Sequence, residues 1–131
     1  MNNLLTKIYL GIDWGEKRIG LALADSETKL ATPFKTVEDV GGVIETINIE
    51  KIDMIVIGKP VRIMDYDLDI TNKKYNNFLK DLKEKINLPV ESVDERLSSK
   101  AADALVGNKK TKANRDEIAA MLILQSYLDK I

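Results

Sequence analysis

The sequence contains no cysteine and no histidine among its 131 residues. Without cysteine the chain cannot form disulfides, use a thiolate nucleophile or hold zinc through sulfur. Without histidine it lacks the usual general base and the commonest ligand of transition metals. If the protein is an enzyme, its carboxylates are the obvious groups to carry the chemistry, and carboxylate sites favour hard ions such as Mg²⁺ or Mn²⁺.

Long apolar runs are also missing. The longest spans residues 118–124, which is too short to cross a bilayer, and the first seven residues lack the apolar core of a signal peptide. We therefore expect a protein without a membrane partner. With 44% hydrophobic and 31% charged residues, the composition predicts one globular domain over residues 1–131.

Charge is nearly balanced overall, at −1, but it is unevenly spread along the chain. Residues 96–115 contain six basic side chains and one acid, whereas residues 38–69 contain eight acids and three bases. A chain polarised in this way can present a basic face to nucleic acid without being basic as a whole. Solvated helix faces and loops explain the same pattern, so both interpretations stay open here.

The pattern of apolar residues predicts an α/β fold. It indicates strands at 7–14, 18–24, 31–37, 53–57 and 88–94, helices at 38–50, 70–86, 97–106 and 115–130, and a lysine-rich turn at 107–113. Short links make the first three strands an antiparallel meander, and helical crossovers make the last two parallel. We expect a mixed five-stranded sheet with helices on both faces, and Pro33 favours an edge position for the third strand.

Asp13 is the most unusual acid, because it closes an apolar strand on the face opposite Leu10 and Ile12. A buried carboxylate is costly unless it has partners or a metal. One interpretation is a turn aspartate that accepts hydrogen bonds from backbone amides. The other is a metal ligand, favoured by glycines at positions 11, 15 and 20, which would let a phosphate backbone come close.

Two further acids lie where they could join Asp13. Glu95 follows the last strand, at the carboxyl end where open α/β sheets bind ligands, although it could equally cap a helix or pair with Arg96. Asp116 opens the last helix on the same face as the alanines at 119–120, although a first-turn acid also suits the helix dipole. Three such carboxylates can hold one or two divalent ions for phosphodiester cleavage.

Three motifs occur in a fixed order along the chain. They are GIDWGEKRIG at 11–20, DERLSS at 94–99, and DEIAA at 116–120 followed by LQSYL at 124–128. With them, nearly the whole chain resembles the YqgF family, bacterial proteins of ribonuclease-H-like fold related to RuvC-type Holliday junction resolvases. By this resemblance Asp13, Glu95 and Asp116 match the catalytic acids of the family. One stretch departs: GKPVRIMDYD at 58–67 replaces a family loop of the type GLPLNMDG.

The resemblance implies a cytoplasmic hydrolase that uses Mg²⁺ or Mn²⁺ to cleave phosphodiester bonds, either maturing the 5′ end of the 16S ribosomal RNA precursor or resolving Holliday junctions. The implied partners are structured RNA or branched DNA and ribosomal assembly particles, with the chain as a monomer or homodimer. The expected phosphate-binding residues are Lys17, Arg18, Arg96, Lys109, Lys110 and Lys112. The alternatives are a non-catalytic nucleic-acid-binding module of the same fold and, disfavoured by the short chain, one lobe of an actin-like ATPase.

Overall fold

A computed structural model describes residues 6–59, 68–94 and 112–131, and of residues 68–72, 94 and 112–114 it describes the backbone alone. The described chain forms strands and helices in the predicted order. Their bounds are β1 Ile8–Asp13, β2 Ile19–Asp25, β3 Thr32–Val37, α1 Val40–Glu50, β4 Met54–Lys59, α2 Leu68–Lys85, β5 Val90–Asp94 and α3 Lys112–Leu128. The helix predicted at 97–106 lies outside the described residues.

The five strands form one mixed sheet in the order β3-β2-β1-β4-β5. β2 is antiparallel to both β1 and β3, whereas β4 is parallel to both β1 and β5. The predicted meander with two added parallel strands is therefore confirmed. β3 is an edge strand, as Pro33 indicates, and its register with β2 shifts between Leu21 and Ala22.

Each face of the sheet carries its own apolar core. Leu10, Ile12 and other alternate strand residues pack against α1 and α2. On the opposite face, Tyr9, Ala22 and Val56 pack against α3. Helices cover both faces, as predicted, because alternate side chains of a strand point to opposite sides and here both sets are apolar.

α3 lies unusually close to the middle of the sheet. A β-carbon built at Gly11 would come within 2.7 Å of the Leu124 Cβ and 2.8 Å of the Ala120 carbonyl oxygen. The carboxyl-terminal half of α3 is also tied to the β2–β3 connection, because the Gln125 side chain accepts a hydrogen bond from the Ala31 amide (2.8 Å) and donates one to the Lys29 carbonyl (2.9 Å). No helix in the described ranges is long and apolar enough to span a membrane.

Two predicted boundaries are wrong in ways that affect the site. β4 continues two residues beyond the predicted end, to Lys59. α3 begins at Lys112, three residues earlier than predicted, so Lys112 belongs to the helix and not to a turn. Both errors have one cause: apolar spacing marks the buried face of an element, and exposed polar residues at its ends add nothing to that signal.

The turn after β2 is held by one carboxylate oxygen. Asp25 Oδ1 accepts hydrogen bonds from the Thr28 amide (2.8 Å), the Glu27 amide (3.0 Å) and the Thr28 hydroxyl (3.1 Å). The Thr28 amide is the main reason that the pKa of Asp25 is lowered; the Thr28 hydroxyl and the Glu27 amide act in the same direction, and burial opposes them. The charged carboxylate is thus stabilised in the folded chain.

This lowered pKa predicts a defined pH dependence. Because the folded pKa of Asp25 lies below its unfolded value of about 3.9, the stabilisation is complete above that pH and is lost as the pH falls through the folded pKa. We expect the free energy of unfolding of wild type to exceed that of Asp25→Asn at pH 6 and the difference to shrink at pH 2–3. Urea unfolding of both proteins across this pH range measures the difference. A difference that grows on acidification would contradict a lowered pKa of Asp25.

The close approach of α3 predicts the effect of a single methyl group. We expect Gly11→Ala to lower the free energy of unfolding by about 1–3 kcal/mol, because helix or strand must shift to admit the new β-carbon. Gly41→Ala is the control, since its β-carbon would meet only the Asp39 side chain, at 3.3 Å, in the first turn of α1. We expect that control to stay within about 1 kcal/mol of wild type in urea titrations. Equal effects at both positions would contradict the packing argument.

Candidate active site

Three parallel strands end at the same edge of the sheet. β1 ends at Asp13, β4 at Lys59 and β5 at Asp94, and we call this side of the sheet the carboxyl edge. Glu95 follows Asp94 directly in the sequence but lies outside the described residues, as do Arg96, Lys109 and Lys110. Of the three predicted acids, the structure therefore describes two, Asp13 and Asp116.

Asp13 and Asp116 lie on the same face of the sheet, at the carboxyl edge. Asp13 is paired with Gly20 of the antiparallel strand β2. A β-carbon at Gly20 would lie 2.9 Å from the Asp116 Cβ, so the first turns of α3 rest directly on that glycine. Since facing residues of two strands have β-carbons about 5 Å apart, the β-carbons of Asp13 and Asp116 are separated by no more than about 8 Å.

Two glycines therefore serve packing where the sequence suggested room for a ligand. The space above Gly11 is filled by Ala120 and Leu124, and the space above Gly20 by Asp116. The interpretation that these glycines admit a phosphate backbone is wrong at both positions. A short helix-to-strand distance requires glycine as much as a bound phosphate does, and the sequence does not distinguish the two causes.

Arg18 contacts one of the candidate acids. Its Nε lies 3.4 Å from Asp116 Oδ2, and the Arg18 side chain is 40% exposed against 15% for Asp116. Glu117, the next residue, is turned toward β3 and accepts a hydrogen bond from the Thr36 hydroxyl (3.2 Å). Arg18, expected to bind substrate phosphates, is thus partly engaged with Asp116, whereas Lys17 is exposed.

The turn between β1 and β2 is also held from the other face of the sheet. The Trp14 ring packs against Tyr75 and Phe78 of α2, with centroids 5.7 and 6.4 Å away. Next to it, the Glu16 carboxylate forms an ion pair with Lys74, at 3.1 Å. Residues 14–18 are therefore fixed between α2 on one face and α3 on the other.

Comparison with known proteins decides the family. The family model described as "RuvX: Holliday junction resolvase" matches residues 7–130. The chain is a member of the RuvX family. The resemblance to the YqgF family drawn from the three motifs is thereby confirmed. A protein from Maridesulfovibrio salexigens named "Putative pre-16S rRNA nuclease" is 38% identical over 130 residues, which cover 91% of this chain and 96% of that protein. A relative of the same name from Legionella pneumophila is 35% identical over 134 residues, covering 94% and 96%.

Solved structures agree with RuvX membership at the level of fold. The structure titled "T. thermophilus RuvC in complex with Holliday junction substrate" superposes with a TM-score of 0.65 at 13% identity, covering 94% of each chain. A Fowlpox virus resolvase bound to Holliday junction DNA superposes with a TM-score of 0.60 at 14% identity, covering 94% of this chain and 97% of that one. At such low identity the likeness concerns the fold alone, and it confirms the predicted ribonuclease-H-like architecture.

The donor atoms at the carboxyl edge suit a hard divalent ion. Asp13 and Asp116 supply carboxylate oxygens, the ligands that Mg²⁺ and Mn²⁺ prefer. Among the side chains that the structure describes, no three acids come together as a metal-binding group. Glu95, the third acid of the predicted site, is not among the residues that the structure describes.

Sequence reasoning missed one charged residue at this edge. Lys59 ends β4, is exposed, and is paired in register with Asp94. Its signal was present, because the residue follows a buried apolar strand whose carboxyl end belongs to the ligand-binding edge of an α/β sheet. The predicted end of β4 at residue 57 left it in a loop.

The contact between Arg18 and Asp116 predicts that Arg18 contributes more to stability than its neighbour Lys17. We expect Arg18→Gln to lower the free energy of unfolding by at most about 1 kcal/mol at low salt, since a half-exposed ion pair is weak, and by less at 1 M salt. Lys17→Gln is the matched control and should change little, because Lys17 is exposed and its ammonium group forms no hydrogen bond or ion pair within the described chain. Urea unfolding at both salt concentrations measures this. A loss for Arg18→Gln that is independent of salt would point to packing of its aliphatic stem instead.

Proposed function

We propose that this chain is a nuclease, a hydrolase of phosphodiester bonds that acts in maturation of the 5′ end of the 16S ribosomal RNA precursor. The observation that carries the proposal is the contact of α3 with Gly20, which brings Asp116 beside Asp13 in a member of the RuvX family. The substrate is taken from the name of its relatives, "Putative pre-16S rRNA nuclease". Since bacterial ribosomal RNA is made and processed in the cytoplasm, the proposal places the protein there.

Asp13, Glu95 and Asp116 are the proposed catalytic acids and metal ligands. A Mg²⁺ or Mn²⁺ ion bound by them would supply Lewis-acid activation of the phosphodiester and of a water nucleophile. Asp13 is rigidly placed because it belongs to a central strand, and Asp116 because the backbone of α3 rests on Gly20. Arg18 orients the Asp116 carboxylate from the solvent side. Such placement matters because ligand geometry has to be correct before substrate arrives.

Substrate phosphates are assigned to cations around these acids. The proposed binding residues are Lys17, Arg18, Arg96, Lys109, Lys110 and Lys112. Lysine and arginine contacts to phosphates position a nucleic acid without reading its sequence. In this proposal the cations determine affinity, and the path of the strand past Asp13 determines which bond is cut.

Resolution of Holliday junctions is the second candidate. The description of the matching family model favours it, and both structural neighbours named above are junction resolvases. The two candidates share the acids and differ in substrate: a structured RNA precursor or a four-way DNA branch. They are therefore separated by substrate preference and not by mutation of the acids.

The decisive experiment offers both substrates to the same preparations. A 16S precursor fragment and a four-way DNA junction are incubated with Mg²⁺, Mn²⁺ or a chelator, using wild type, Asp13→Asn and Asp116→Asn. We expect precursor cleavage by wild type with either ion and a loss of roughly 100-fold or more in both variants, since even outer residues around a metal contribute 10–100-fold. Asp81→Asn is the control, because Asp81 forms an ion pair with Lys85 on α2.

Each other outcome selects a different function. Preferred cutting of the junction would favour the resolvase. Binding of RNA without cleavage in either ion would favour a non-catalytic module of the same fold. Cleavage that survives both substitutions would remove Asp13 and Asp116 from the chemistry and leave the proposed site without support.

A further inference from the structure

We propose that the bound nucleic-acid strand crosses the carboxyl edge from the α3 side to the α2 side of the sheet, and that Lys59 binds its backbone phosphate on the α2 side. The inference rests on the proposed function, because it specifies the path of the substrate at the same site. It assigns Lys59 to substrate binding, in a stretch of the chain that departs from the sequence typical of YqgF proteins.

Lys59 lies close to Asp13 in the sheet. β4 is the parallel neighbour of β1, and Ile12 is in register with Ile57. Lys59 therefore stands one residue beyond the position adjacent to Asp13. With strands about 4.8 Å apart and a rise of about 3.3 Å per residue, the Cα atoms of Asp13 and Lys59 are separated by about 6 Å.

Asp13 and Lys59 lie on opposite faces of the sheet at the carboxyl edge. Ile55 and Ile57 pack with α1 and α2, whereas Val56 packs with α3. By the alternation of a strand, Lys59 belongs to the α2 side, as Ile57 does, and Asp13 belongs to the α3 side with Gly11. A nucleic-acid strand that reaches both Asp13 and Lys59 has to pass over the carboxyl edge. The arrangement therefore specifies the path of the nucleic acid, from the α3 side to the α2 side.

The carboxyl edge carries acids as well as bases, and two of its lysines are available to a phosphate. Arg18 contacts Asp116, and Lys74 contacts Glu16. Lys59 and Lys17 are exposed, and within the described chain their ammonium groups form no hydrogen bond or ion pair. A flexible lysine provides a point charge that suits a phosphate oxygen better than a base edge. We therefore infer a phosphate contact that adds affinity without sequence preference.

The salt dependence of binding tests this contact without any cleavage. Fluorescein-labelled oligouridylate is titrated in chelator over a series of salt concentrations with wild type, Lys59→Met and Lys59→Arg. Log affinity falls as log salt rises, and we expect this slope to be less steep in Lys59→Met by about 0.7, the value for one phosphate contact on a single strand. Lys59→Arg should keep the slope, because it keeps the charge. Methionine retains an unbranched apolar stem, so the protein should stay folded.

Lys7→Met is the matched control. Lys7 is exposed and directly precedes β1, so it lies at the opposite edge of the sheet. Its removal changes the net charge of the protein as much as Lys59→Met does, but we expect it to leave the slope unchanged. Equal slopes for wild type, Lys59→Met and Lys7→Met would overturn the inference, and so would equal losses in both variants.

Trp14 provides a second measurement of the path. It is the only tryptophan in the chain, and its ring is half-buried on the α2 side of the carboxyl edge. We expect saturating oligouridylate to change its fluorescence in wild type and to change it less in Lys59→Met. Binding that leaves Trp14 fluorescence unaltered would overturn the proposed direction.

The outcomes for path and for function are separable. If wild type cleaves the ribosomal precursor but Lys59→Met keeps the wild-type slope, the path is wrong and the nuclease proposal stands. If the salt dependence of binding is weaker in Lys59→Met while wild type cuts neither RNA nor junction, the path is supported and the nuclease proposal fails. No binding by wild type in chelator would overturn the path directly.

Discussion

The close contact between α3 and the first two strands is the constraint on which the rest of the structure depends. At Gly11 and Gly20 the helix approaches so closely that a β-carbon would collide with it. At its other end, Gln125 hydrogen-bonds the backbone of the β2–β3 connection. Attachment at both ends fixes the rotation of the helix and its position along the sheet. Asp116 consequently has one location, beside Asp13, and the candidate site exists because of packing.

Placing two carboxylates near one another is unfavourable unless positive charge lies close to them. In this protein the turn between β1 and β2 provides part of that charge through Arg18. The same turn is anchored on the opposite face by Trp14 and by the ion pair of Glu16 with Lys74. A segment of six residues, 13–18, thus carries an acid, a cation for the second acid, and contacts to helices on both faces of the sheet. Its rigidity supports the proposed role, since metal ligands function only when their geometry is held.

Asp13 and Asp25 show how the same residue type meets different surroundings at the ends of neighbouring strands. Asp25 uses one oxygen to accept three hydrogen bonds from its own turn, which is the structural role also considered for Asp13. Asp13 lies at the opposite edge, next to a second carboxylate brought by a distant helix. In a chain without histidine, we propose this pair as the source of metal binding and of phosphodiester chemistry. The neighbours in space, and not the strand-end position, distinguish the two aspartates.

The amino-acid sequence by itself determined the order of the described strands and helices, the mixed sheet, the position of β3 at an edge, and the family. Those features arise from local patterns: alternation along a strand, apolar spacing along a helix, and short motifs around Asp13, Glu95 and Asp116. Only the tertiary structure decided that Gly11 and Gly20 admit a helix, that Arg18 contacts Asp116, and that Lys59 stands beside Asp13. Each of these contacts joins residues far apart in the chain, such as 20 and 116. Local patterns cannot specify them, because the distance between such residues is decided only when helix and sheet pack together.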